Sequence, residues 1–146
     1  MAKFKNIDRI RPAAVHFEKY GYYTKTLPGT RDYYEYWDKE RERCLYGYTA
    51  DEGTKDALTV TGFHYFYLNY CPIDRAVDEV LPDGTVQSKR ERTFPSFYDG
   101  DHDYFTEIDK ARTSNRHMVV LKARRKGYSY KAGSMLARNY FFVRNS

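Results

Sequence analysis

Apolar and polar positions change their period along the chain, and the changes mark out its elements. Over residues 31–46, Tyr33, Tyr36, Trp37, Glu40, Arg41 and Cys44 recur at spacings of three and four, the period of a helix face. Thr30 or Asp32 is the candidate cap at its start, and Gly47 sits just past its end. A shorter helix is predicted around 12–20, between the breaks at Arg11-Pro12 and Leu27-Pro28-Gly29. Residues 48–57 are polar and read as a loop. Residues 58–70 are dense in apolar and aromatic groups. Thr61 is placed to cap a helix from Gly62 to Asn69, with an alternating strand as the competing reading.

Further along, Ile73, Ala76, Val77 and Val80 precede Leu81-Pro82-Asp83-Gly84, and Thr85-Val86 follow. Asp-Gly between β-branched runs predicts a hairpin over 71–94. Its returning arm, residues 87–92, is basic and polar, as suits an exposed ribbon. A helix is predicted over 97–113, with Asp99 or Asp101 as its cap and Tyr104, Phe105, Ile108 and Ala111 as its apolar stripe. Asp99, Asp101, His102 and Asp103 are all metal-ligand types. Consecutive positions at a helix start do not face one ion, and acids there complement the helix dipole, so capping is the favoured reading. Residues 117–122 form a short apolar run with the character of a buried parallel strand. Residues 129–142 predict a helix with Ala132, Met135, Leu136 and Asn139 to Tyr140 on its buried side.

Composition sharpens this picture in two ways. The 146 residues are 41% hydrophobic, enough for a core, and carry 16 Tyr and 9 Phe. The tyrosines are spread along the whole chain. That favours a core and surface built of tyrosine over a dedicated platform for stacking bases. The net charge is +5, and it is unevenly placed: residues 110–146 hold ten Lys or Arg and no Asp or Glu. Such a balance favours anionic partners, nucleic acid or phosphate. Cys44 and Cys71 form no metal-binding spacing and read as free thiols in a reducing compartment. No run approaches the roughly 18 apolar residues of a membrane span, and the first residues lack a signal-peptide pattern.

The chemistry concentrates at 122–131. A strand, a basic glycine-containing turn, a hydroxyl residue and a helix is the context of a phosphate-binding loop. There Gly127 would let the backbone approach phosphate, and helix N-terminal amides would hold it. Ser129 is placed to ligate Mg²⁺. Arg124, Arg125, Lys126 and Lys131 are the candidate sources of positive charge. Against the general pattern G-x-x-x-x-G-K-[ST], Lys122 stands at the first glycine, Gly127 at the second, Tyr128 at the lysine and Ser129 at the hydroxyl position. Tyr128 cannot neutralise phosphate, so a neighbouring cation must.

The segment Val119-Val120-Leu121-Lys122-Ala123-Arg124-Arg125-Lys126-Gly127-Tyr128-Ser129-Tyr130-Lys131 resembles the divergent Walker A segment of tailed-phage terminase large subunits. The run from Thr61 to Ile73, and Phe94-Pro95-Ser96-Phe97-Tyr98-Asp99 ahead of an aromatic, acidic helix, resemble segments before that loop. The likeness covers roughly 55–140. It implies an α/β fold, an incomplete P-loop NTPase domain of the ASCE-like kind, with a helical N-terminal region (1–57), a β-hairpin insertion and the start of the ATPase domain (58–146). The implied activity is ATP hydrolysis with Mg²⁺, driving double-stranded DNA into a procapsid in the host cytoplasm. Implied partners are a terminase small subunit, a portal and further copies of the motor.

Phosphoryl transfer also needs a second acid for Mg²⁺ and a group that orients water. Nothing after Asp109 is acidic, and nuclease carboxylates are absent, so the expectation is a fragment or split protein that binds nucleotide with little turnover. The alternative expectation is a small basic DNA-binding or adaptor protein that uses residues 87–92 and 122–131 on phosphates without catalysis.

Overall fold

Helix α3 (Gly62–Tyr70) is buried from Gly62 through Asn69, and the other helices gather round it. In this computed structural model, which describes residues 8–122 and 127–143, α1 (Pro12–Tyr20), α2 (Arg31–Tyr46), α4 (Asp99–Thr113) and α5 (Tyr128–Phe142) all pack against α3. A helix apolar on every side is one that must sit inside. Phe63, Tyr65, Phe66 and Leu68 are largely or wholly removed from water. Each such side chain contributes about 1.5–3 kcal/mol by burial.

Local sequence sets the helix ends. Thr61 Oγ1 accepts from the His64 amide at 3.3 Å, so the helical reading of Gly62 to Asn69 holds, with one residue more at its end. Thr30 does the same for Tyr33 at the start of α2. The α2–α3 contact is a backbone contact: a Cβ on Gly62 would lie 2.5 Å from the Cys44 carbonyl oxygen. Helix α1 has no cap from its own N-cap residue, Arg11. Asn69 of α3 supplies it, its Oδ1 accepting from the amides of Ala13 (3.0 Å) and Ala14 (3.1 Å). Its Nδ2 donates to the carbonyls of Ile10 and Tyr65.

The described residues are mixed α/β, with two small antiparallel sheets. Strand β1 (Tyr48–Ala50) pairs with β2 (Leu58–Val60), Thr49 facing Thr59. The loop expected over 48–57 is therefore strand at its start. The strand is three residues long and is defined by its partner rather than by its own pattern. The hairpin expected over 71–94 is present as β3 (Ile73–Val80) and β4 (Val86–Thr93), in register from Ile73–Thr93 to Val80–Val86. Gly84 turns it at φ 82°, and Asp83 Oδ1 accepts from the Thr85 amide and hydroxyl. One core joins Ile10, Cys44 and Ala50 to Leu58, Val60, Phe97 and Phe105, and so is continuous across residues 57 and 58.

Further expectations are corrected. Residues 117–122 form no strand; Val119 is 87% exposed and Leu121 94%. A strand exists only where a neighbour completes its hydrogen bonds, and β1–β2 and β3–β4 are each paired within their own hairpin. No parallel pair is present among the described residues, so the parallel sheet of a P-loop ATPase is not seen there.

Another correction concerns α5, whose buried side is polar. Lys131, Ser134 and Arg138 are buried, while Ala132, Leu136 and Tyr140 face outward and Met135 is half-buried. Long cationic side chains bury their stems and keep their heads paired. The Arg138 guanidinium lies 4.5 Å from the Phe63 ring centroid and donates to the carbonyls of Cys44 (2.9 Å) and Leu45 (2.8 Å), the last carbonyls of α2. Charge at that end also complements the helix dipole. The cap expected from Asp99 or Asp101 on α4 is not made: Tyr98 is the N-cap, without a side-chain bond. Both acids lie in the first turn.

Candidate functional site

Gly127 opens α5 with φ 67° and ψ 15°, the left-handed region that glycine enters without penalty. A Cβ there would touch no described atom, so the requirement is handedness and not crowding. Hydrogen bonding along α5 begins with the Lys131 amide, which donates to the Gly127 carbonyl at 3.2 Å. The three amides before it, on Tyr128, Ser129 and Tyr130, belong to the helix's first turn, and no described side chain caps them. Ser129 is exposed beside them. Amides at a helix start with a hydroxyl alongside can hold an anion.

The other two described candidates face inward. Tyr128 packs edge-on against Tyr104 of α4, with ring centroids 5.0 Å apart. Lys131 is buried, its ammonium bonded to Asp101 and 4.4 Å from the Tyr128 ring centroid. Lys131 is thus held by α4 in this structure and not at the mouth of the turn. Burial raises the Tyr104 phenol above its ordinary value, with Tyr128 and Asp101 adding to it. Arg124, Arg125 and Lys126 lie outside the described residues.

Two participants were missed from sequence. Asp101 was weighed as a metal ligand and favoured as a cap, and its pairing with Lys131 joins α4 to α5 across 30 residues of sequence. Lys122 was matched to a glycine position and otherwise taken only as part of the 122–131 loop. Its ammonium lies 5.6 Å from the Tyr128 ring centroid, which brings an exposed cation beside the start of α5.

A second polar cluster lies elsewhere. Glu40 is buried; its carboxylate accepts from the hydroxyls of Tyr65 (2.8 Å) and Tyr70 and pairs with Arg43. Burial, with Glu40 adding to it, drives both phenols well above their ordinary value. Beside it is a cavity of about 220 Å³ lined by Trp37, Cys44, Phe66 and Phe142 among others. Phe142 ends α5, about 21 Å along the axis from Tyr128, so this cavity is separate from the turn at Gly127.

The hairpin is less basic than its returning arm suggested. Lys89, Arg90 and Arg92 face a strand bearing Asp74, Asp78 and Glu79. With Arg75, Asp83 and Glu91 included, the ribbon carries five acids and four bases. The electrostatic argument for DNA on this arm is correspondingly weakened.

No known family model matches the sequence, and no curated protein or solved structure matches the chain. No helix among the described residues is long and apolar enough to cross a membrane.

Proposed function

We propose that this chain carries the phosphate-binding turn of a DNA-packaging ATPase of the terminase large-subunit kind, taking ATP with Mg²⁺. The observation behind the reading is the opening of α5: a left-handed Gly127, three amides that no described side chain caps, and an exposed Ser129 two residues on. These groups fit phosphate oxygens and a phosphate-bound cation. In this reading the amides orient the phosphates and the Ser129 hydroxyl meets the ion. Lys122 and the basic run Arg124, Arg125 and Lys126 supply the charge that Tyr128 does not. Tyr128 instead anchors the turn to α4. Bound ATP would supply the phosphoryl group whose transfer drives movement.

The surrounding assignment belongs to the same proposal: double-stranded DNA as cargo, a small subunit and portal as partners, further copies of the motor, and the host cytoplasm as the setting. With no acid after Asp109, the expected behaviour of these 146 residues is nucleotide binding with little turnover.

Titration of the chain with a fluorescent ATP analogue, with and without Mg²⁺, tests the reading. Mg²⁺-dependent binding that weakens in Ser129→Ala supports it. Absence of binding, or binding indifferent to both Mg²⁺ and Ser129→Ala, sinks it.

A further inference from the structure

At the end of α1 the chain reverses, and the reversal builds an outward-facing aromatic surface. Gly21 takes φ 77° and donates its amide to the Phe17 carbonyl at 2.8 Å. The ring of His16, one turn back, contacts the Tyr22 carbonyl oxygen at 2.8 Å and ties the returning chain down. Tyr20 and Tyr22 are thereby set side by side, their rings 21° from parallel with centroids 5.9 Å apart. His16 sits 4.7 Å from Tyr20 and 5.5 Å from Tyr22. Tyr20 is 44% exposed and Tyr22 38%, whereas the next ring, Tyr23, packs inward on Phe17 and Tyr70.

Two ammonium groups lie over the Tyr20 ring, and the Tyr22 ring adjoins it. Lys19 and Lys25 lie 5.0 and 5.4 Å from the Tyr20 ring centroid. No ion pair among the described residues engages either one. The nearest acid in sequence, Glu18, is taken by Arg11. Exposed rings beside cations that no described acid engages are the two components of a single-strand binding surface. Ring faces stack bases of any sequence, and cations track the phosphates. A duplex buries the faces of its bases and offers such a surface only its backbone.

We propose that His16, Lys19, Tyr20, Tyr22 and Lys25 form a binding site for single-stranded nucleic acid. The site is independent of the nucleotide reading at Gly127, which involves none of these residues.

Fluorescence anisotropy with a labelled oligothymidylate of about 12 nucleotides, within the span a small domain covers, tests it without added nucleotide. The strand is expected to bind more tightly than a duplex of equal length. Tyr20→Ala and Tyr22→Ala should each weaken it roughly fivefold to a hundredfold, while Tyr20→Phe and Tyr22→Phe keep it. The double change Lys19→Gln with Lys25→Gln should flatten the log–log salt dependence by about 1.4. All four positions lie at or near the surface, and thermal melting confirms folding of each variant. Absence of binding, equal affinity for duplex, or affinity unmoved by Tyr20→Ala and Tyr22→Ala overturns the proposal. Ser129→Ala should leave strand binding unchanged; loss there would place the strand at the α5 turn and overturn it equally.

Discussion

The ammonium of Lys131 is bonded to the carboxylate of Asp101, and this buried pair locks the first turn of α5 to the first turn of α4. Removing one partner strands the other charge where water scarcely reaches, since the two side chains are only 4% and 14% exposed. Asp101→Ala should therefore destabilise the chain by about 3 kcal/mol. The double variant Asp101→Leu with Lys131→Met should recover most of that. Urea unfolding of the two singles and the double measures the coupling, and simple additivity would mean the pair is not holding the helices together.

His64 gives the protein a pH dependence of known sign. Its imidazole is buried between Phe97 and Phe105 with neither nitrogen bonded to a described residue, and burial lowers its pKa from 6.5 to about 3, His102 and Lys131 adding to the effect. Above pH 6.5 the ring is neutral in both folded and unfolded chains and contributes no slope. Below it the unfolded chain binds a proton that the folded chain refuses, so stability falls by about 1.4 kcal/mol per pH unit. In His64→Phe that part of the slope should vanish between pH 6.5 and 4, as read by chemical denaturation at stepped pH. An unchanged slope would assign the effect to other groups.

Asn69 offers a graded series. Asn69→Ala removes the acceptor for Ala13 and Ala14 and the donors to Ile10 and Tyr65, and should cost about 2–3 kcal/mol. Asn69→Asp keeps the acceptor at the start of α1 but sets its second carboxylate oxygen against the Ile10 and Tyr65 carbonyls in a fully buried site, and should cost at least as much at neutral pH. An Asn69→Asp variant as stable as the parent at neutral pH in thermal melts would contradict the assigned amide orientation.

Two glycines should respond in opposite directions. Gly62→Ala sets a Cβ 2.5 Å from a backbone oxygen of α2 and forces α2 and α3 apart, a clear destabilisation. Gly133→Ala, in the exposed interior of α5, meets nothing within 4 Å and should stabilise by about 0.5–1 kcal/mol. Melting temperatures of the pair report on both sites.

Much of the scaffold was legible because local chemistry decided it. Thr30, Thr61 and Gly47 marked helix ends, and Asp83-Gly84 marked the hairpin. What failed depended on partners distant in sequence. Tyr48–Ala50 is strand only because Leu58–Val60 pairs with it. Residues 117–122 have strand composition but no described partner. The apolar stripe of α5 pointed the wrong way because Lys131 and Arg138 find acceptors on α4 and α2, which no periodicity encodes. At the candidate site, a helix starting beside Gly127 was legible from spacing, whereas the contacts of Asp101 and Tyr104 with α5 come from residues distant in sequence.

The chain's one tryptophan stands among Tyr36, Tyr23, Tyr33 and Tyr70, with ring centroids between 5.1 and 6.4 Å away. Those phenols come from α2, α3 and the stretch after α1. Ultraviolet excitation absorbed by them passes efficiently to the indole at such separations. Emission from Trp37 alone is thus an intrinsic optical gauge of whether the three segments remain assembled, readable without any label.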